Sequence, residues 1–184
     1  MPEVPTSAWL YVFLIGLTGL ERLVELRVSL RNAAWSLKQG GTEHGHGHYP
    51  FMVVLHTGFL IACVVEVVLL ERMFSPWLGV PMLAVAAGCQ VLRWWCIRTL
   101  GMRWNTRVII VPGLPRVTGG PYRFLNHPNY VAVAAEGLAL PLVHGAWLTA
   151  LAFTVLNAGL MRVRIQCEND ALKTLPKNAT TPPG

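Results

Sequence analysis

Long apolar runs separated by shorter polar stretches set the pattern of this chain. A helix needs about 20 mostly apolar residues to cross a bilayer. Five candidate segments cover residues 7–30, 51–70, 77–100, 129–142 and 146–163, and the fourth is the shortest. Pro141, His144 and Gly145 separate the last two segments, so we expect these to form a tight helical hairpin. The pattern predicts an all-α integral membrane protein with five transmembrane helices.

The composition agrees with a membrane location. Hydrophobic residues make up 53% of the 184 residues and charged residues only 13%, with a mean hydropathy of +0.46. An average soluble domain carries roughly 25% charged residues. We predict one domain over residues 1–175 and a disordered tail over residues 176–184. The four cysteines lie in or beside apolar runs, so we expect reduced, buried thiols without disulfides.

The distribution of basic residues predicts an orientation in the membrane. Lys and Arg concentrate between residues 27 and 38, between residues 101 and 128, and after the last apolar segment. The positive-inside rule places these segments in the cytoplasm. We therefore predict a bacterial-type inner-membrane protein with its N-terminus outside and its C-terminus inside. The basic residues form no single face and no nucleic-acid motif, so nucleic acid is not an expected partner.

The longest polar connection, residues 101–128, ends in the segment "GPYRFLNHPNY". Pro128 suits the first turn of a helix and disfavours helical geometry at the residue before it. His127 is therefore predicted at the start of the fourth helix, where free N–H groups carry a partial positive charge. A long ordered loop in a small protein is usually functional. The alternative is a plain helix start with the interfacial aromatic residues Tyr122, Phe124 and Tyr130.

Glu136 is a lone carboxylate inside the apolar fourth segment. Such a group is costly in a membrane, so we expect it to face the interior of the bundle. The same argument applies to Glu21, Glu25 and Glu66. Four acidic positions within or beside membrane helices favour a polar cavity over a simple scaffold.

Arg164 and Glu168 follow the last apolar segment in "RVRIQCEND". Because they are four residues apart, they share one face of a helix. This spacing fits a functional pair, and it equally fits an exposed ion pair at a helix end.

The stretch "EHGHGHY" places His44, His46 and His48 at alternate positions. Alternating histidines can bind a metal ion. Glycines separate them and no cysteine is near in sequence, so we predict that this loop is not a metal site.

Together these segments resemble the isoprenylcysteine carboxyl methyltransferase family of membrane enzymes. The resemblance runs from about Trp104 to Leu172 and depends on "GPYRFLNHPNY", the intramembrane glutamate, and Arg-x-x-x-Glu. The first half, including "ERLVELRVSL" and "HGHYPF", resembles bacterial members linked to type III polyketide synthases, which O-methylate alkylpyrones. "LGMRWNTRVIIVPG" fits that branch as well.

The resemblance implies S-adenosylmethionine as the cofactor, bound on the cytoplasmic side. It implies that the cofactor is held by Leu114, Pro115, Arg116, Val117, Tyr122, His127, Pro128, Asn129, Tyr130 and Glu168. It implies that Arg164 lies near the substrate, and we expect catalytic roles for Arg164, Asn126 and Glu136.

Asn126 departs from the family pattern, because the prenylcysteine enzymes usually carry an arginine before His-Pro. An arginine fork matches a carboxylate with two hydrogen bonds, and an asparagine does not. We therefore predict an O-methyltransferase for a lipophilic hydroxyl from the bilayer, such as that of an alkylpyrone, with a functional link to a polyketide synthase. The alternatives are a carboxyl methyltransferase of prenylcysteine-like compounds, a lipid-amine methyltransferase, and a non-enzymatic membrane scaffold or metal-handling protein.

Overall fold

A computed structural model describes residues 5–173. The chain forms five helices: α1 (Thr6–Lys38), α2 (Tyr49–Leu69), α3 (Pro76–Leu100), α4 (Pro128–Leu142) and α5 (Trp147–Leu172). Two strands, β1 (Thr42–His44) and β2 (Val108–Ile110), and three single 3-10 turns complete the described elements. The single domain expected over residues 1–175 stays a prediction. The tail expected over residues 176–184 lies outside the described residues.

Four of the described helices, α1, α2, α3 and α5, are long and apolar enough to cross a membrane. Helix α4 has 15 residues, which is about 22 Å of helix against a hydrocarbon core of about 30 Å. The protein is therefore a helical integral membrane protein, and the count of five spans stays a prediction.

The outer surface of the bundle is apolar. Val54 and Leu69 are each 72% exposed and Trp77 is 92% exposed. Side chains of this kind are favourable against lipid and unfavourable in water. Trp9, Trp77 and Trp147 are all exposed and lie in the first turns of α1, α3 and α5. Tryptophan is enriched at membrane interfaces, so these three residues are placed to meet the interface at one end of the bundle.

The core lies where α1, α2, α4 and α5 meet. Its large members include Tyr11, Phe59, Leu140 and Phe153. The Tyr11 hydroxyl donates a hydrogen bond to the Leu140 carbonyl at 3.2 Å, which joins α1 to α4. At Gly137 a Cβ atom would lie 2.2 Å from the Phe153 ring, so glycine is what lets α4 and α5 approach this closely. Helix α3 also packs against α4.

The tight hairpin expected between the last two helices is confirmed. Helix α4 ends at Leu142 and α5 begins at Trp147. Gly145 reverses the chain with a positive φ of 70°, a conformation that glycine adopts without steric cost.

A carboxylate from α2 caps the start of α5. Glu66 accepts hydrogen bonds from the backbone N–H groups of Leu148 at 3.2 Å and Thr149 at 2.7 Å, and from the Thr149 hydroxyl at 2.7 Å. The first N–H groups of a helix lack partners inside it, and a negative charge is favourable there. Glu66 therefore supplies the hydrogen-bond acceptors for the first N–H groups of α5, at the end of the bundle that carries the exposed tryptophans.

Two helices extend beyond their predicted ends at residues 30 and 163. Helix α1 continues to Lys38 and α5 continues to Leu172. In α1 the polar extension is buried at Asn32, whose amide donates to the carbonyls of Gly101 at 3.0 Å and Trp104 at 2.8 Å. Because these contacts are tertiary, the local apolar pattern did not reveal them.

The connection between α3 and α4 contains one extended stretch, the strand β2. Strand β2 pairs antiparallel with β1, with Thr42 opposite Ile110 and His44 opposite Val108. An ion pair of 3.2 Å between Arg107 and Glu43 adds a side-chain link. This ribbon packs against α5 and α1, and it forms one wall of the cavity described next.

Candidate active site

A cavity opens where the ends of α1, α3 and α5 meet the 103–126 connection and the first turn of α4. Eleven of the thirteen residues that the sequence analysis named line it: Leu114, Pro115, Arg116, Val117, Tyr122, Asn126, His127, Asn129, Tyr130, Arg164 and Glu168. The two that are not among its lining residues are Pro128 and Glu136. Segments that are far apart in sequence therefore converge on one site.

Pro128 is the first residue of α4 and is fully buried. Its ring fixes a backbone angle that suits the first turn, and it lacks the N–H that would be unpaired there. Pro128 thus sets where α4 begins, which positions His127, Asn129 and Tyr130 on the cavity wall.

The hydroxyl of Tyr130 joins Arg164 to Glu168. Arg164 Nε donates to this hydroxyl at 2.7 Å, and the hydroxyl donates to Glu168 Oε2. The Arg164 guanidinium also lies over the Tyr130 ring, 5.4 Å from its centroid. The arginine and the carboxylate predicted as a pair are therefore held together through α4 and are not a simple surface ion pair.

His127 is held on the same chain of contacts. Its ring stacks on Tyr130, with 5.3 Å between centroids and 19° between planes. Its Nε2 lies 3.1 Å from Asn169 Oδ1, and its Nδ1 lies 3.8 Å from Glu168 Oε1. These contacts link the first turn of α4 to the last turns of α5.

Glu136 lies instead in a buried charge cluster formed by Arg22, Glu25, Gln90, Arg93 and Glu136. Its two carboxylate oxygens accept from Gln90 Nε2 at 2.9 Å, from Arg22 at 3.5 Å, and from Arg93. The expectation that Glu136 faces the bundle interior is confirmed. Its partners neutralise it there, so its position gives no support to the catalytic role expected from the sequence.

The other glutamates expected to form a polar cavity are paired within the bundle. Glu21 accepts from the indole N–H of Trp94 on α3 at 2.6 Å, and Glu25 pairs with Arg93 on α3 at 3.5 Å. Glu66 caps α5. These carboxylates join helices to each other, and they do not line the cavity.

Sequence reasoning missed the wall formed by residues 103–111. Trp104 and Asn105 line the cavity there, and Arg103 donates to the Pro115 carbonyl at 2.8 Å, which ties two parts of the connection together. The segment "LGMRWNTRVIIVPG" was the available signal, but it gave no role to any one residue.

Three buried polar atoms of the lining have no hydrogen-bond partner in the described structure. They are Trp104 Nε1, Asn105 Nδ2 and Asn129 Oδ1. Buried polar groups are nearly always paired, and leaving one unpaired costs about 1–3 kcal/mol. All three atoms are fully buried, so they lie within the wall of the cavity and not on its open surface.

The charges of the lining are unequal. Four arginines line the cavity in the described part of the chain, Arg103, Arg107, Arg116 and Arg164, against the single carboxylate of Glu168. Burial, the Cys96 thiol and the Glu168 carboxylate raise the pKa of Tyr122, so its hydroxyl remains protonated. The site suits a ligand that carries both a cationic and an anionic group.

A positively charged side chain contacts Asn126. Its Oδ1 accepts a hydrogen bond of 3.4 Å from Arg116. A guanidinium thus lies beside the position where the prenylcysteine enzymes carry their arginine. This contact weakens the inference that the site lacks a partner for a carboxylate.

The histidine-rich stretch lies at the edge of the ribbon. Among the side chains that the structure describes, no group of three or more potential ligands is placed to hold a metal ion. Burial and the charge of Arg164 lower the pKa of His48, which favours its neutral form. Gly45 has a positive φ of 71°, and a Cβ there would lie 2.2 Å from the His48 ring and 2.8 Å from Cys167 Sγ.

Comparison with known proteins identifies the family. The sequence model of the isoprenylcysteine carboxyl methyltransferase family matches residues 81–174. The uncharacterized protein YpbQ of Bacillus subtilis (strain 168) is 37% identical over 165 residues, covering 89% of this chain and 97% of that protein. The matched region contains α4, α5 and most of the cavity lining. The chain therefore belongs to the isoprenylcysteine carboxyl methyltransferase family, whose members are S-adenosylmethionine-dependent membrane methyltransferases.

Proposed function

We propose that this protein transfers a methyl group from S-adenosylmethionine to the hydroxyl of a lipophilic acceptor, with an alkylpyrone-type polyketide as the leading acceptor. The observation that carries the proposal is the Arg164–Tyr130–Glu168 chain, which sets an arginine and a carboxylate on one cavity wall. The acceptor class comes from the resemblance of the first half of the chain to polyketide-linked members.

The lining residues fit S-adenosylmethionine by their chemistry. Glu168 is the carboxylate for a cationic group, and the arginines offer partners for a carboxylate. The side chains of Tyr122, Asn126 and Asn129 in the lining are neutral hydrogen-bonding groups. When bound, S-adenosylmethionine supplies an activated methyl group on a sulfonium.

The contribution of the chain is positioning and charge stabilisation. Arg164 is 7% exposed, and its buried guanidinium stabilises the acceptor oxygen as the anion that remains when the hydroxyl gives its proton to solvent. The methyl group then bonds to this oxygen as its bond to sulfur breaks, which leaves neutral S-adenosylhomocysteine. Tyr130 fixes Arg164 through the bond of 2.7 Å, so little rearrangement is needed during the reaction.

The cavity is proposed to face the cytoplasm. It lies at the ends of α1, α3 and α5 where Lys38, Arg98, Arg103 and other basic residues concentrate. In the part of the chain that the structure describes, the opposite end carries the exposed tryptophans and the oppositely charged Glu71 and Arg72. This distribution supports an external N-terminus by the positive-inside rule.

The second candidate is methylation of a carboxylate on a prenylcysteine-like compound. The contact of 3.4 Å between Arg116 and Asn126 favours it, because a guanidinium near the acceptor side can bind a carboxylate.

The two candidates predict different preferred acceptors. We expect purified protein in lipid to transfer tritiated methyl groups faster to a long-chain alkylpyrone than to farnesylated cysteine, as judged by kcat/KM. Asn126→Arg should lower pyrone turnover, because it adds a permanent charge next to the Arg116 guanidinium. Leu125→Arg, one residue earlier in the same exposed loop, is the matched control for added charge.

A higher kcat/KM for the farnesylated compound would refute the first candidate and support carboxyl methylation of a prenylcysteine-like compound. Titration calorimetry with S-adenosylmethionine distinguishes the two methyltransferase candidates from a non-enzymatic scaffold, because a scaffold would not bind S-adenosylmethionine.

A further inference from the structure

The buried guanidinium of Arg164 has neutral direct partners in the part of the chain that the structure describes. Its Nε donates to the Tyr130 hydroxyl at 2.7 Å, and its Nη1 donates to the Met52 sulfur at 2.9 Å. No described carboxylate contacts it directly, because the Tyr130 hydroxyl links it to Glu168. An arginine side chain stays charged in a protein, so the positive charge of Arg164 lacks a direct counter-ion among the described residues.

Another nitrogen of Arg164 is accessible. Its Nη2 has no hydrogen-bond partner among the described residues, and it is not one of their fully buried polar atoms. Because Arg164 lines the cavity, Nη2 is the nitrogen that a molecule in the cavity can contact. An anionic oxygen placed there would supply the missing counter-ion.

The Met52 contact joins Arg164 to a part of the chain outside residues 81–174, the region that the family model matches. Met52 is half-buried in the first turn of α2. His48 lies four residues earlier, on the same face, and burial and the charge of Arg164 lower its pKa. The thioether and the neutral imidazole of this face therefore leave the charge of Arg164 uncompensated.

The start of α2 is held closely against α5. A Cβ atom at Gly45 would lie 2.2 Å from the His48 ring and 2.8 Å from Cys167 Sγ, so the turn before α2 contacts α5 three residues after Arg164. On the ribbon beside it, the charge of Arg107 is paired with Glu43 at 3.2 Å. A segment fixed in this way can set the orientation of a side chain that it contacts.

We propose that Met52 is a positioning residue for methyl transfer, whose sulfur holds Arg164 Nη1 and so directs Nη2 toward the acceptor oxygen without neutralising the guanidinium. This inference rests on the proposed function and applies to either acceptor. A thioether is a weak hydrogen-bond acceptor without charge. A carboxylate in its place would form an ion pair with Arg164 and weaken the attraction of the guanidinium for the anionic acceptor oxygen.

The test compares three substitutions of Met52 in the full chain in lipid, using whichever of the alkylpyrone and the farnesylated cysteine is the better acceptor. Met52→Gln keeps a neutral hydrogen-bond acceptor, so we expect kcat within about threefold of the unmodified value. Met52→Leu keeps the apolar volume and removes the acceptor, so kcat should fall about tenfold. Met52→Glu places a carboxylate on the guanidinium, so kcat should fall about a hundredfold.

The order of these variants distinguishes positioning from packing. If Met52 only filled space, leucine would be the mildest replacement and glutamine a harmful one, whereas positioning predicts the reverse. Titration calorimetry with S-adenosylhomocysteine should give affinities within about twofold of the unmodified protein for the leucine and glutamine variants, because the proposed role concerns the acceptor. Met73→Leu, at an 87% exposed position between α2 and α3, is the control and should leave kcat unchanged.

Three results would overturn the inference. If the unmodified protein binds no S-adenosylhomocysteine or methylates neither acceptor, the proposed function fails and the role of Met52 fails with it. If the unmodified protein is active and Met52→Leu is as active or more active than Met52→Gln, Met52 only fills space and the function stands. If Met52→Leu loses affinity for S-adenosylhomocysteine in parallel with kcat, the substitution disturbs the whole cavity and the positioning role is wrong.

Discussion

Replacing Glu136 by glutamine should destabilise the protein without removing its methyl donor site. The substitution keeps the shape of the side chain and removes its charge beside Arg93 and Arg22. The Arg93 and Glu136 side chains are 6% and 10% exposed, and breaking a buried ion pair by removing one partner costs about 3–5 kcal/mol. Because Gln90 can still bond to the new amide, we expect the lower part of that range, about 3 kcal/mol.

Equilibrium unfolding in mixed micelles of neutral detergent and dodecyl sulfate gives this free energy. Glu71→Gln, at an exposed turn, is the control and should change stability by less than about 0.5 kcal/mol. The double change Glu136→Leu with Arg93→Leu removes both charges and should cost less than the sum of the single changes by about 2 kcal/mol.

Two results would refute this reasoning. One is a Glu136→Gln protein as stable as the unmodified one. The other is a stable variant that binds S-adenosylhomocysteine normally yet transfers no methyl groups, which would restore the catalytic role that the sequence predicted for Glu136.

Three further predictions concern the cavity and the ribbon beside it. Glu168→Ala removes the only carboxylate among the described lining residues and should weaken S-adenosylhomocysteine binding at least about tenfold, or 1.4 kcal/mol; unchanged affinity in a folded variant rejects the assignment. Gly45→Ala should lower the unfolding free energy by about 2–4 kcal/mol, because it combines a positive φ with a Cβ 2.2 Å from the His48 ring. Gly47→Ala, where nothing lies within 4 Å, is its control and should be nearly neutral. Chelators and His44→Ala should leave methyl transfer unchanged, and stoichiometric zinc in an untagged sample would contradict this.

The helices were largely predictable because a long apolar run directly indicates a helix that can lie in the membrane. All five were found near their places, and the hairpin at Gly145 followed from local turn residues. The last turns of α1 were missed, because Asn32 and Ser36 are polar and become buried only against a distant loop. Local hydropathy contains no information about such a partner.

The site was predictable where it follows a motif and not where it depends on pairing across the chain. Tyr130, Arg164 and Glu168 were named from the sequence, and the structure brings them together. The pairing of β1 with β2 joins two three-residue strands that are far apart in sequence, so no local pattern specified it. The unpaired indole of Trp104 likewise becomes visible only when its surroundings are known.

The cap that Glu66 places on α5 has a consequence at the far end of that helix. From Thr149 to Arg164 the helix rises about 22 Å. Arg164 and Glu168 therefore lie on a helix whose first turn is fixed to α2 by three hydrogen bonds to Glu66. A shift of α5 by one turn would move both side chains by about 5.4 Å. The first N–H groups of α5 would then lose their hydrogen bonds to the Glu66 carboxylate, which is costly where little water can replace it. The positions of Arg164 and Glu168 along the bundle axis are thus set by a contact at the opposite end of the bundle.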